Sequence, residues 1–126
     1  MTSIRTHRDL IAWQKSFEMG LHVYKLTSDF PKSEERGLRS QLRRAAVSVA
    51  SNIAEGYGRG SKLDYLRFLK IARGSIFEID TQIRFALRLG FISKPAMADL
   101  DERLRECDRL LSALIRSISR SDHLPA

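Results

Sequence analysis

The sequence predicts an all-α protein folded as an up-down-up-down antiparallel four-helix bundle. Three observations carry this expectation. Apolar residues recur at steps of three and four through most of the chain. No stretch sustains the two-residue alternation of a strand. Proline falls only at 31, 95 and 125, and glycine gathers near 56–60, 74 and 90, which cuts the chain into four long segments with short connections. At 126 residues this is one domain, 1–126, with helices expected at about 9–28, 34–57, 62–89 and 94–120 and frayed ends at both termini.

The first segment has two apolar stripes. Leu10, Trp13, Phe17, Leu21 and Tyr24 are read as its core face. Ala12, Met19, Val23 and Leu26 lie almost opposite. A bundle helix needs one stripe, so the second is read as either the edge of a wide core or a subunit contact, and its residues are candidates for the latter. The segment stops at SDFP, because the residue before a proline disfavours helix.

The second segment begins at Ser33, a good N-cap, with Glu34 and Glu35 in the first turn. Leu38, Leu42, Ala45, Val49, Ile53 and Gly56 form its core stripe. Ala46, Ala50 and Ala54 follow at steps of four on another side, joined by Val47. Small side chains in a row let another backbone approach, so these four join the candidate subunit contact. Arg36, Arg39 and Arg43 continue that side toward the helix start, and Arg44 is their neighbour.

GRGS at 58–61 is a turn, and Ser61 with Asp64 resembles a capping box. The third segment ends at Gly90, a natural residue just past a helix C-terminus. Tyr65, Leu69, Ala72, Ile76, Ile79, Ile83 and Leu87 form its core. Lys70, Arg73, Arg84 and Arg88 share one side with Phe77, while Ile71, Phe85 and Leu89 make a further apolar strip. An antiparallel count back from the turn sets Asn52 level with Arg67, and Arg43 or Arg44 level with Glu78.

Ser93 caps the fourth segment, and Pro95 is tolerated in its first turn. Met97, Leu100, Leu104, Cys107, Leu111, Leu114 and Ile118 make the cleanest heptad in the chain. Asp101 and Arg105 pair at i,i+4 on its exposed side. Residues 121–126 fray.

Composition points to a partner more than to a reaction. Lys and Arg total 22 against 15 Asp and Glu, a formal charge of +7, which favours a polyanion such as RNA or DNA. Many small soluble proteins are basic without binding anything anionic. Basic side chains near an aromatic suit phosphate contact with base stacking. The candidate nucleic-acid contacts are therefore Arg36, Arg39, Arg43, Arg44, Lys70, Arg73, Arg84 and Arg88. The alternative is a solvated face, with Arg84 pairing to Asp80.

Nothing points to catalysis, a cofactor or a metal. His7, His22 and His123 have no ligand partner at metal spacing. Cys107 sits at a core position of its heptad, away from any His. Glu55 and Glu78 lie too far apart along the bundle for a carboxylate pair. Asn52 reads as a satisfied buried amide that sets helix register. GYGRGS lacks the Lys-Ser/Thr ending of a phosphate loop. An enzyme would need a pocket lined by Asn52, Glu55 and Tyr57 with shifted carboxylates. The N-terminus lacks a signal peptide's apolar run, and no stretch approaches the roughly 20 apolar residues of a membrane span. The expectation is a cytoplasmic protein.

Five stretches then resemble a known family: DLIAWQ (9–14), VYKLT (23–27), FPKSEERGLRSQLRRAAVSVASNIAEGYGR (30–59), YLRFLKIARGSIFEIDTQI (65–83) and LGFI (89–92). The chain is similar to the bacterial four-helix bundle family of 23S rRNA intervening-sequence proteins. That family is related to the accessory variability protein of diversity-generating retroelements. The most specific part is QLRRAAVSVASNIAEG followed by Gly74, Ser75 and Glu78; the last helix matches only as a helix. Relatives commonly carry a proline before the SNIAEG-like run, where this chain has Ala50. The resemblance implies a homopentameric ring and a nucleic-acid-binding role, with a reverse transcriptase as protein partner in the retroelement relative. The rival reading is an interaction scaffold for an acidic or reverse-transcriptase-like protein.

Overall fold

The structure, a computed structural model, describes residues 3–121. Four helices make up nearly all of it: α1 (Ile11–Thr27), α2 (Leu38–Gly58), α3 (Lys62–Arg88) and α4 (Lys94–Arg120). Each packs on its neighbours in sequence, and α1 closes the ring against α4, which is the up-down-up-down arrangement. His123 and the expected fraying of 122–126 lie outside the described residues.

The helix ends follow from local chemistry. A 3-10 turn, His7–Asp9, precedes α1, with the Thr6 hydroxyl and the Asp9 carboxylate capping each other's backbone. Asp9 therefore belongs to that turn, and α1 starts two residues later than its sequence pattern indicated. Ser33 does not cap α2 either. It lies in a second 3-10 turn, Lys32–Glu34, and α2 begins at Leu38. Here Glu34 reaches forward, and its Oε1 accepts from the Leu38 backbone N–H at 2.9 Å. A Cβ on Gly37 would stand 2.8 Å from that oxygen, so glycine keeps the cap open. Between α2 and α3, Gly60 takes φ +75°, and the Ser61 hydroxyl accepts from the Asp64 N–H. Gly90 takes φ +83° after α3, and the Phe91 N–H reaches back to the Ala86 carbonyl at 2.8 Å. The Ser93 cap of α4 is as expected.

Most of the core follows the sequence pattern. Leu42, Ala45, Val49, Ile53 and Gly56 of α2 are buried, with Leu38 half-buried. Tyr65, Leu69, Ala72, Ile76, Ile79 and Ile83 of α3 are buried, as are all heptad positions of α4 except half-buried Leu114. At Gly56 helices α2 and α3 approach closely. A Cβ there would meet the Phe68 Cβ at 2.9 Å and the Tyr65 carbonyl at 3.1 Å. The register of that seam is marked by a 2.8 Å hydrogen bond between the Ser48 and Ser75 hydroxyls. That bond sets Asn52 near Ile71, about one turn from Arg67. The Asn52 amide donates within its own helix, to the Ser48 carbonyl and hydroxyl at 2.8 and 2.9 Å, so Ser48 and Ser75 carry the register.

Helix α1 overturns its expected orientation. Ala12, Met19 and Val23 are core residues, 5%, 1% and 0% exposed within a single chain, and Leu26 is half-buried against the core. Ala46 of α2 is buried with them. None of these is a free subunit contact. Phe17, Leu21 and Tyr24, expected inside, are exposed, and Trp13 is half-buried and stacked on Phe17 at 5.0 Å. The reason is the distance between α1 and α2. Gly20 packs against Ala46, and a Cβ on it would already lie 3.6 Å from the Ala46 carbonyl oxygen. Helices this close leave no room for a phenyl or indole between them, so the small stripe goes in and the large one stays out.

Candidate nucleic-acid interface

The structure splits the eight basic candidates into different roles. Arg43 is a correction, since it binds the protein itself. Its Nε donates to the Thr27 hydroxyl at 2.8 Å and its Nη2 to the Tyr24 carbonyl at 3.0 Å, with the guanidinium 4.5 Å from the Tyr24 ring centre. It therefore caps the C-terminus of α1, where a cation also suits the helix dipole. Arg36 precedes α2, in the turn that leads to Gly37, and is exposed. Arg39 is half-buried in the first turn of α2. Arg44 lies one turn before Ser48, on the α3 side, and is exposed.

Lys70, Arg73, Arg84 and Arg88 do share the side of α3 that faces α4. Two of them are held in ion pairs across that seam. Arg73 Nε donates to Asp108 Oδ1 at 2.7 Å. Arg84 pairs with Asp80 at 3.0 Å and with Asp101 at 3.2 Å, and bonds to both carboxylates raise its pKa further. Lys70 and Arg88 are exposed and make no ion pair among the described residues.

Asp101 was expected to pair with Arg105 along α4. Its partner is Arg84 on α3 instead, which leaves Arg105 without an ion pair among the described residues. Arg105 follows Asp101 by one turn, so it lies on the α3 side of α4. Arg109 follows one turn later, and Arg116 lies two turns beyond Asp108 on the same side. All three are exposed. Antiparallel packing brings them beside Lys70 and Arg73, because Arg73 meets Asp108 and the Lys62 ammonium meets the Ser121 carbonyl. Sequence reasoning missed this group. Its signal was the spacing 105, 109, 116, which reads as one side of a helix.

Phe77 stands at the edge of this cluster and is 50% exposed. The Arg73 guanidinium lies 5.0 Å from its ring centre. Phe77, Arg84 and Arg105 line a shallow cavity of about 180 Å³ together with Asp80, Asp101 and Asp108. On their other side, Arg105 and Arg109 line a second cavity with Asp99, Glu102 and Glu106. The Gly60 turn lies at the far end of this surface. There the guanidinium groups of Arg59 and Arg67 both cover Phe68, at 4.9 and 4.6 Å, while pairing with Glu55 and Asp64.

A second surface lies on the outside of α1 and α2. Trp13, Phe17, Leu21, Tyr24, Val47, Ala50 and Ala54 line an apolar groove of about 260 Å³. Val47 is exposed and Ala50 and Ala54 are half-buried, so these three of the predicted small-residue row remain accessible.

The groups weighed for chemistry are engaged elsewhere. Glu55 lies 3.5 Å from Arg59, and the Tyr57 ring meets the Tyr65 ring edge-on. Burial pushes the Cys107 thiol up to about 11, which keeps it protonated and inert. Among the described residues no group of three or more His, Cys, Asp or Glu could hold a metal ion. No described helix is long and apolar enough to cross a membrane.

Comparison with known proteins agrees with this architecture. A solved protein of unknown function from the S23 ribosomal protein family of Bacteroides thetaiotaomicron superposes with a TM-score of 0.79 at 22% identity. The match covers 86% of this chain and 98% of that one, and it shows a shared fold. No curated protein matches the chain at a significant level. The sequence profile of the 23S rRNA-intervening sequence proteins matches residues 8–113, past the last shared motif and well into α4. The chain therefore belongs to the 23S rRNA-intervening sequence protein family.

Proposed function

We propose that the protein is a non-enzymatic, oligomeric nucleic-acid-binding bundle of the cytoplasm that contacts RNA or DNA through the α3–α4 face. The observation that carries this reading is the group Lys70, Arg105, Arg109 and Arg116, exposed cations that make no ion pair among the described residues and lie beside an exposed phenyl ring. Cations with no internal partner are available to phosphates, and each phosphate contact releases counterions. Arg36, Arg39, Arg44 and Arg88 lie outside this group and would add contacts only to a ligand that wraps the bundle.

The test is fluorescence anisotropy on labelled RNA and DNA at two salt concentrations. Lys70→Glu, Arg109→Glu and Arg116→Glu together should weaken binding strongly and reduce the salt slope by about one per cation. Unchanged affinity would overturn the assignment. A partner retained from extract after nuclease treatment would favour the protein-scaffold reading instead.

The outer groove of α1 and α2 is the proposed contact between copies, in line with the homopentamer that the resemblance implies. Large apolar side chains there flank small ones, a shape that accepts a ridge from another helix. Leu21→Glu with Val47→Glu should lower the assembled mass by light scattering while helicity stays. A monomeric wild type would remove this part of the proposal.

A further inference from the structure

We infer that the α3–α4 face takes a single-stranded segment of RNA or DNA, with one unstacked base lying against Phe77. This rests on the nucleic-acid reading above and narrows it to a class of strand. Phe77 is half exposed among charged side chains of the α3–α4 face, Asp80, Arg84, Asp101, Arg105 and Asp108. The ring is held in place from one side. Arg73 covers it at 5.0 Å, and Asp108 fixes that guanidinium at 2.7 Å.

A duplex has no use for such a ring. Phosphate oxygens gain nothing from a phenyl, and duplex bases are stacked and paired, in A-form RNA behind a deep, narrow groove. A single strand supplies both halves of the match: phosphates for the cations and a free base face for the phenyl. Charge beside the ring is balanced, and the excess cations lie along the face at Lys70, Arg109 and Arg116. Asp80 and Asp101 are answered by Arg84, and Asp108 by Arg73. Arg105, on the wall of the cavity it shares with Phe77, is the third arginine against three carboxylates there, so the patch is neutral and Arg105 is its cation without an ion pair among the described residues. Lys70 lies two turns of α3 away on the same side, about 10 Å along the helix axis, so phosphates flanking the stacked base fall within reach of both.

The test compares labelled single strands of uridine and of thymidine with RNA and DNA hairpins of equal phosphate number. The proteins are wild type, Phe77→Ala, Phe77→Trp and the double variant Lys70→Glu/Arg109→Glu. Wild type should bind single strands more tightly than hairpins. Phe77→Ala should weaken single-strand binding by about 5- to 150-fold, the range for one base stack. It should leave hairpin binding and the salt slope nearly unchanged. Phe77→Trp should retain binding, and its added indole emission should be quenched by the strand. The uridine and thymidine arms show which sugar is preferred, and tighter single-strand binding in either supports the inference. If hairpins bind as tightly as strands and Phe77→Ala changes nothing, while the double charge reversal weakens both, the single-strand inference fails and the nucleic-acid reading stands. If wild type binds neither, both fall.

Discussion

Helices α1 and α4 lie side by side across one seam, yet they bury themselves by opposite means. Helix α4 sends large side chains inward: Met97, Leu100, Leu104, Leu111 and Ile118. Helix α1 sends mostly small ones, Ala12, Ser16, Gly20 and Thr27, with Met19 and Val23 as its only large buried apolar residues. Phe17, Leu21 and Tyr24 stay outside. The difference comes from the other neighbour of each helix. Against α3, α4 has room for leucines. Against α2, α1 sits at Gly20–Ala46 contact distance, and volume inserted there would push the two backbones apart. Where a helix carries two apolar stripes, the spacing to its neighbour chooses between them, and the bulkier stripe can lose.

The largest test of this contrast compares two positions on α1 that are two residues apart. Val23→Asp should unfold the protein, because it buries an unpaired carboxylate at a position with no exposure. Leu21→Asp, at a position 57% exposed, should leave the chain folded with its helical circular-dichroism signal intact. Equal behaviour would mean that the α1 faces are assigned wrongly. Next in size is truncation across the seam. Leu111→Ala in α4 should cost about 2–5 kcal/mol by urea denaturation, against under about 0.5 kcal/mol for Leu21→Ala in the folded monomer. Gly20→Leu should come third, destabilising by about 1–3 kcal/mol through overpacking. Gly20→Ala should be neutral or slightly stabilising, since its Cβ makes ordinary contact and alanine favours helix.

The smallest effect sharpens the seam itself. His22 of α1 faces Asp99 of α4 at 2.9 Å. Burial and the nearby Arg103 and Lys25 lower its pKa below the usual 6.5, outweighing the pull of Asp99. The unfolded imidazole then binds its proton first. Stability should be full above about pH 6.5 and decline modestly as the pH falls from there toward the folded value. His22→Gln should flatten that decline in melts taken across the acid range.

The basic face was half legible in the same sense. Lys70, Arg73, Arg84 and Arg88 share a side of one helix, and spacing alone shows it. Arg105 was assigned to Asp101 because a pair one turn apart is visible in a sequence, whereas the competing contact from Arg84 crosses between helices. Arg43 looked free for the opposite reason. Its partners, Thr27 and Tyr24, lie far back in the chain on the preceding helix. Charges that share a helix can be counted from the sequence, but whether a charge is free depends on the helix packed beside it.

By itself the sequence determined the number of helices, their connections, the cores of α2, α3 and α4, and the excess of positive charge. These rest on periodicity, turn residues and composition, which act within a few residues and do not wait for the fold. Tertiary structure decided which stripe of α1 is buried, which arginines are neutralised, and that cations of α4 stand beside Lys70 and Phe77. Each of those outcomes depends on the distance and register between two helices. Such quantities are set by packing, at contacts such as Gly20 on Ala46, Gly56 on Phe68 and Ser48 on Ser75, and no single helix carries them in its own pattern.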